Sequence, residues 1–212
     1  VRDESFRPPL TLRGTHISLV PLAPSHRDAL YHAVRDPEVT RLLATSPGRT
    51  VEEVGAYISL LLGRQAEGTD LPFAVLRPPG ERPVGVTRFL HIDRPNDAVE
   101  IGTWLDSELW RTPVNTEVKL LLFRHAFDTE GAHRVVLQTD LRNERSQRAI
   151  ERLGAVREGV LRDDRFVGNG YRRSSVVYSV LADEWPAVRR RLESSLQRPW
   201  PGPDRRARDP SP

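Results

Sequence analysis

The segment Val99-Glu-Ile-Gly-Thr-Trp104 sets a carboxylate in the middle of an apolar run. Side chains alternate across a strand, so Glu100, Gly102 and Trp104 share one face and Val99, Ile101 and Thr103 the other. A carboxylate so placed needs a partner or a task. It is either a general base or half of an ion pair with an arginine on a neighbouring strand, such as Arg88. A mid-strand glycine marks a bulge or a close backbone approach, which fits Gly102. A second group is Asn143 and Ser146, one helical turn apart after the turn Asp140-Leu-Arg. Asn143 can cap the helix or bond a ligand amide. Taken alone, Ser146 also reads as an ordinary exposed serine. The third group is Trp110-Arg-Thr-Pro-Val-Asn115, directly before a helix. A helix N-terminus offers unpaired N–H donors and a positive dipole end, which suit a pyrophosphate. Pro113 removes one donor and fixes φ at about −65°. Arg111, Val114, Asn115 and Thr116 keep theirs, and the Arg111 guanidinium or the Thr112 hydroxyl can reach phosphate oxygens. The plain alternative is a helix-start proline followed by a cap.

Other chemistries are excluded by composition. The 212 residues include no cysteine and no methionine, which removes disulfides, thiolate metal sites and a thiol nucleophile. The six histidines show no metal-ligand spacing and no Ser-His-Asp arrangement, so no metal is expected. Formal net charge is +3, and the four arginines against two aspartates of residues 198–212 supply +2 of it. The body is therefore near neutral, and a nucleic-acid partner is not expected. No apolar run approaches the roughly 20 residues of a membrane span. The first residues lack a signal-type apolar stretch, so a cytoplasmic location is the expectation.

The elements that must position these groups read as follows. Thr15 to Leu22 alternates as a strand. Ser25 to Arg35 is a helix, and Thr50-Val-Glu-Glu53 forms a capping box for another running to about Glu67. Strands follow at Leu71 to Arg77, Val84 to Ile92 and Ala98 to Leu105, the last two separated by the turn cluster Asp93 to Asp97. Helix Asn115 to Thr129, strand His133 to Thr139 and helix Glu144 to Leu153 come next, with Gly154 as C-cap. Ala155 to Val167 and Tyr171 to Leu181 form a hairpin across Gly168-Asn-Gly170. Asp183 to Leu196 is a last helix. The order is that of a mixed α/β sheet with helices on both faces. Residues 1–10 read as a flexible N-terminus, 11–196 as one domain, and the Pro/Arg-rich 197–212 as a disordered tail.

From about Thr11 to Trp185 the sequence resembles the GNAT superfamily of N-acetyltransferases. Within it, the chain is similar to the branch that acetylates the N-terminal alanine or serine of ribosomal proteins. The matching pieces are the opening Leu10 to Leu22, Val99 to Trp104, Asn143-Glu-Arg-Ser146 through Ile150-Glu-Arg-Leu-Gly154, and Arg157-Glu-Gly-Val-Leu-Arg162 with the hydrophobic strand after it. The resemblance implies a GNAT fold: a mostly antiparallel sheet splayed at strands 4 and 5. It implies acetyl-CoA as co-substrate and a primary amine as acceptor, either a protein N-terminus or a small molecule. Direct attack in a ternary complex is the implied route, and a homodimer is common among similar proteins. The alternative is an acyl-CoA-binding or interaction domain with weak or no turnover.

Residue by residue, the resemblance implies that the backbone of Ile101, Gly102 and Thr103 pairs with the pantetheine arm. Arg111, Thr112, Val114, Asn115 and Thr116 would hold the pyrophosphate. The family's phosphate loop carries two glycines, at the positions of Pro113 and Asn115 here, so weaker coenzyme A binding is expected. Glu100 stands where several GNAT enzymes place a base; Asp163 and Asp164 are second candidates. Ser146 would protonate the departing thiolate, since the tyrosine used elsewhere is Ile150 here. Asn143 would bond pantetheine. An α-amine with pKa near 8 is easier to deprotonate at neutral pH than a lysine near 10.4, so a modest base suffices for it.

Overall fold

The computed structural model describes residues 6–8, 10–78, 82–167 and 170–199. Among them, eight strands form one sheet: β1 (Leu12–Arg13), β2 (Ser18–Pro21), β3 (Leu71–Arg77), β4 (Arg82–Asp93), β5 (Ala98–Leu105), β6 (Arg134–Asp140), β7 (Val156–Val167) and β8 (Tyr171–Leu181). The spatial order is β1-β2-β3-β4-β5-β6-β8-β7. All pairings are antiparallel except β5 with β6. The helices are α1 (Arg27–Ala33), α2 (Pro37–Thr40), α3 (Val51–Ala66), α4 (Val114–Arg124), α5 (Glu144–Leu153) and α6 (Trp185–Gln197). The mostly antiparallel α/β architecture is the expected one.

Local signals fix several helix ends. The Thr50 hydroxyl accepts from Glu53 N–H at 3.2 Å and the Glu53 carboxylate from Thr50 N–H at 3.1 Å, the capping box that starts α3. Asn143 Oδ1 accepts from Ser146 N–H at 3.1 Å and opens α5. Gly154 closes it with φ of 104°, a conformation that glycine adopts freely.

The structure departs from the expected elements in five places, one of them the added short strand β1. The first long strand shrinks to β2, because the N–H groups of Thr15, His16 and Ile17 donate to the Glu117 carboxylate (2.6, 2.8 and 3.1 Å) instead of a ladder. The helix expected to run to Thr129 widens at His125–Thr129 into a π turn. The short helix α2 has no counterpart among the expected elements; Asp36 caps it, accepting from Glu38 N–H at 2.9 Å. Phe6, in the segment that reads as loose, is 4% exposed and stacks edge-on against Phe89 at 4.8 Å. The turn residues 168–169 and the tail from 200 onward lie outside the described residues.

The sheet buries both faces. One carries α4, α5 and α6 over Phe73, Phe89, Ile101, Leu137 and Tyr178. The other carries α1, α2 and α3 over Leu22, Ala74, Val86 and Trp104. Helix α6 packs along α4 through Trp185 against Phe123 and Phe127, and Trp185 Nε1 donates to Asp128 at 2.7 Å.

Strands β5 and β6 pair only at Ala98/Arg134, Val99/Val135 and Glu100/Val136. Beyond Glu100 they diverge, so among the described residues the β6-facing edge of β5 has no strand partner from Ile101 onward. This is the expected splay, and the main cavity opens at it.

Candidate active site

The cavity at the splay encloses roughly 370 Å³. Glu100, Gly102, Thr103, Arg111, Thr112, Asn115, Asn143 and Ser146 all line it, so the expected groups from four separate segments converge. Ile101, Val114 and Thr116 do not; their side chains are buried and only their backbone is left for a ligand. Asp163 and Asp164 border a different, shallow cleft beside Leu141 and Leu161. Asp164 is also committed to Arg165 at 2.8 Å and to the Ser175 hydroxyl at 3.0 Å. Glu100 is the one carboxylate among the residues lining the main cavity.

Alternation divides the site between the two sheet faces. Glu100 and Gly102 lie on the α1–α3 face with Trp104, and Gln138 of β6 joins them through its amide. Thr103 lies on the α4 face, beside the N-terminus of that helix. Arg88, the arginine suggested as partner for Glu100, instead pairs with buried Asp70 at 2.6 Å. Glu100, with its side chain 12% exposed, takes two other partners: His91 Nδ1 at 2.9 Å and Gln138 Nε2 at 3.2 Å. The hydrogen bond to Glu100 raises the His91 pKa above its usual value, against the opposing effect of burial.

His91 reaches Glu100 through a bulge. The β4–β5 register jumps from Leu90/Glu100 to Asp93/Ala98, and His91 takes φ of 50°. Strict alternation would send His91 to the opposite face from Leu90; the extra residue turns it back. The sequence reading missed this histidine for that reason. The signal available was the turn cluster 93–97, which sets residues near 90 opposite Glu100.

The segment Trp110–Asn115 before α4 holds one residue in a strained backbone conformation. Arg111 holds φ of 63°, left-handed and unusual for a non-glycine residue. Thr112 Oγ1 donates to Leu109 C=O at 2.7 Å and accepts from Val114 N–H at 3.3 Å. The N–H groups of Asn115 and Thr116 have no acceptor among the described residues. Arg145 of α5 lies over the Trp110 ring at 3.1 Å, close enough to Arg111 to feel its charge; desolvation lowers its pKa. Two guanidinium groups, Arg111 and Arg145, thus line the cavity together with a helix start that has two N–H donors without an acceptor among the described residues, an arrangement with the chemistry to take an anion.

Ser146 sits half-buried on the cavity wall, and Asn143 Oδ1 is engaged as the α5 cap. Lys119, the one lysine of the chain, is buried under the loop. Its Nζ donates to Thr103 Oγ1 at 2.6 Å and to Asn115 Oδ1 at 3.5 Å, and burial lowers its pKa to about 7. The α1–α3 side of the cavity is closed by Tyr57, which accepts from Trp104 Nε1 at 3.2 Å, and by the segment from Leu42 to Thr45. Among the described residues no cluster could hold a metal ion, and no helix is long and apolar enough to cross a membrane.

Residues 16–156 match the family model described as the acetyltransferase (GNAT) domain. A provisionally named acetyltransferase of T. thermophilus superposes with TM-score 0.82 at 43% identity, over 89% of this chain and 97% of that one. A GCN5-related N-acetyltransferase from Brucella melitensis gives TM-score 0.81 at 27% identity, over 89% and 86%. YdaF of Bacillus subtilis (strain 168), provisionally named a ribosomal N-acetyltransferase, is 33% identical over 101 residues. That match spans 48% of this chain and about half (55%) of the relative. The chain belongs to the GNAT family of N-acetyltransferases.

Proposed function

We propose that the chain transfers an acetyl group from acetyl-CoA to a primary amine by direct attack in a ternary complex. The observation that carries the reading is the convergence of a lone carboxylate, an anion-binding helix start and an unpaired strand edge on one cavity. Acetyl-CoA fits the α4 side of the splay. Its pyrophosphate would meet the Asn115 and Thr116 N–H groups with Arg111 and Arg145, and its pantetheine arm would run along Ile101 to Thr103, as an added strand does. Val114 contributes a further N–H, already weakly held by Thr112.

The acceptor enters from the α1–α3 face. Glu100, directly or through one water, takes the proton that the ammonium must lose before attack. The amine nitrogen then forms a bond to the thioester carbonyl carbon. A backbone N–H near Gly102 stabilises the oxyanion as it develops. The carbon–sulfur bond breaks, and the Ser146 hydroxyl hydrogen-bonds or protonates the departing thiolate. With no cysteine in the chain, a cysteine-linked acetyl intermediate has no place to form. A protein N-terminus is one acceptor consistent with YdaF's name; its low pKa suits a modest base. The test is thiol release from acetyl-CoA across an amine panel. Glu100→Gln is expected to lower kcat by about 10²–10⁴ with coenzyme A affinity retained. Full-rate turnover by this variant would remove Glu100 from the reaction.

A further inference from the structure

We propose that the acceptor carries an oxyanion, a carboxylate or a phosphate, close to its attacking amine, and that Arg173 receives it. The inference rests on the acetyl-transfer reading above and adds the chemical class of the substrate.

Seven arginines but a single carboxylate line the cavity. Arg111 and Arg145 stand at the coenzyme side, and Arg88 is neutralised by Asp70. Arg173 is different. It sits on β8, two residues from Ser175, which pairs with Asp140 of β6; Gln138 pairs with Val177. Alternation therefore places Arg173, Ser175, Gln138 and Glu100 on one sheet face, the acceptor side. Arg173 is 4% exposed yet borders the cavity, and its hydrogen bond among the described residues is a single one, Nε to Ser175 Oγ at 2.9 Å.

The carboxylates around it are spoken for. Asp164 binds Arg165 and Ser175. Both oxygens of Asp140 bind Arg142, at 3.0 and 2.8 Å. Glu100 binds His91 and Gln138. Arg165 lies directly opposite Arg173 in the β7–β8 register. Like charges directly opposite on paired strands repel. Burial and the like charge of Arg165 disfavour the charged guanidinium, and Asp140, Asp164 and Glu100, each bound elsewhere, offset this only in part; Arg173 lines the cavity with no carboxylate in ion-pair contact among the described residues. An incoming oxyanion relieves this penalty, and the planar fork matches carboxylate or phosphate through two parallel bonds. With the anion held there, an amine on the same molecule is directed along the same face towards Glu100. A polycation, by contrast, meets repulsion.

The experiment measures kcat/KM for thiol release from acetyl-CoA with matched acceptors. One pair is tripeptides with an N-terminal serine that differ only in Glu or Gln at the second position; the other is O-phosphoethanolamine against ethanolamine. Spermidine is the cationic control. Wild type is expected to favour the anionic member of at least one pair by about tenfold or more, as hydrogen bonds to charged groups do. Which pair shows it tells carboxylate from phosphate. Arg173→Gln should bring that ratio close to one, and Arg173→Lys, which keeps the charge but not the fork, should recover part of it. Should Arg173→Gln fail to fold, Arg173→Lys carries the test through a reduced ratio. Equal rates within both pairs, preference for spermidine, or an unchanged ratio in the variants would overturn the proposal. If no acceptor releases thiol, the acetyl-transfer reading fails with this panel. Calorimetry of O-phosphoethanolamine and of the Glu tripeptide with the coenzyme A-loaded protein then decides the anion site alone. Binding that Arg173→Gln abolishes supports it, and absence of heat with wild type overturns it.

Discussion

Replacing Lys119 by methionine should make the protein more stable at neutral pH, and the gain should shrink as pH rises. Lys119 lies on the buried side of α4 with a pKa near 7, against 10.5 in an open chain. Between these values the unfolded chain binds more protons than the folded one, so folding opposes protonation there. The penalty is full below about pH 7, falls as pH rises and vanishes above about 10.5. Integrated over protonation, it is about 4 kcal/mol at pH 7 and about 2 kcal/mol at pH 9. Methionine has nearly the same length and no charge. It forfeits the bond to Thr103, but Thr103 Oγ1 keeps Thr87 Oγ1 at 2.6 Å, so no hydroxyl is orphaned. The advantage of Lys119→Met over wild type should therefore narrow by about 2 kcal/mol from pH 7 to pH 9. For a domain of this size that is about 4–8 °C in the difference between melting temperatures. Thermal melts of both proteins across this range supply the numbers. A difference that is flat with pH, or that widens, would show that Lys119 is not held with a depressed pKa. Saturating coenzyme A should reduce the wild-type penalty, since an anion at the helix start favours the charged amine.

Ser146→Ala is expected to lower kcat while leaving coenzyme A affinity, read by calorimetry, within about twofold; an undiminished kcat would take the serine out of the mechanism. His91→Ala should cost stability at acid pH and little at alkaline pH, because the hydrogen bond to Glu100 raises the His91 pKa. That stabilisation is present below about pH 6.5 and is lost as pH rises through the raised His91 pKa; a melting-temperature difference between wild type and variant that does not shrink with rising pH would separate His91 from Glu100. At Gly102, an added Cβ would lie 3.3 Å from Leu90 Cδ2 and 3.8 Å from Arg88 Nε. Gly102→Val should therefore narrow the acceptor side and raise acceptor KM about tenfold or more, a change that steady-state rates at saturating acetyl-CoA would expose.

Much of the framework is legible in the residues because it rests on local signals. Thr50 and Glu53 mark the start of α3, Asn143 the start of α5 and Gly154 its end, each by its own side chain or backbone freedom. Glu100 stands out because a carboxylate in an apolar strand is costly without a partner. Its partners were not legible. A one-residue bulge at His91 reverses the side to which that ring points, and no local pattern signals the bulge. Arg173 and Arg165 lie eight residues apart in sequence and face each other only because the hairpin register sets them there. The left-handed Arg111 is hidden for a similar reason, since arginine carries no preference for that conformation. The three donors that Glu117 satisfies lie about 100 residues away in sequence.

Strand β5 belongs to the first half of the sheet and β6 to the second, and three residue pairs join them. The halves are also joined through the core under α4, and α6, the last helix among the described residues, lies against α4 and α5. Its grip is Trp185 on Phe123 and Phe127, with Glu193 bound to Arg124 of α4 and Arg189 to Asp128 just beyond it. The helix therefore acts as a splint on the wedge. No α6 residue borders the cavity, so the helix can act on the opening only through α4 and α5. Trimming the chain back past Trp185 would leave every lining residue in the molecule while letting the two half-sheets hinge apart. In hydrogen exchange, that loss would appear first at the amides of residues 98–100 and 134–136.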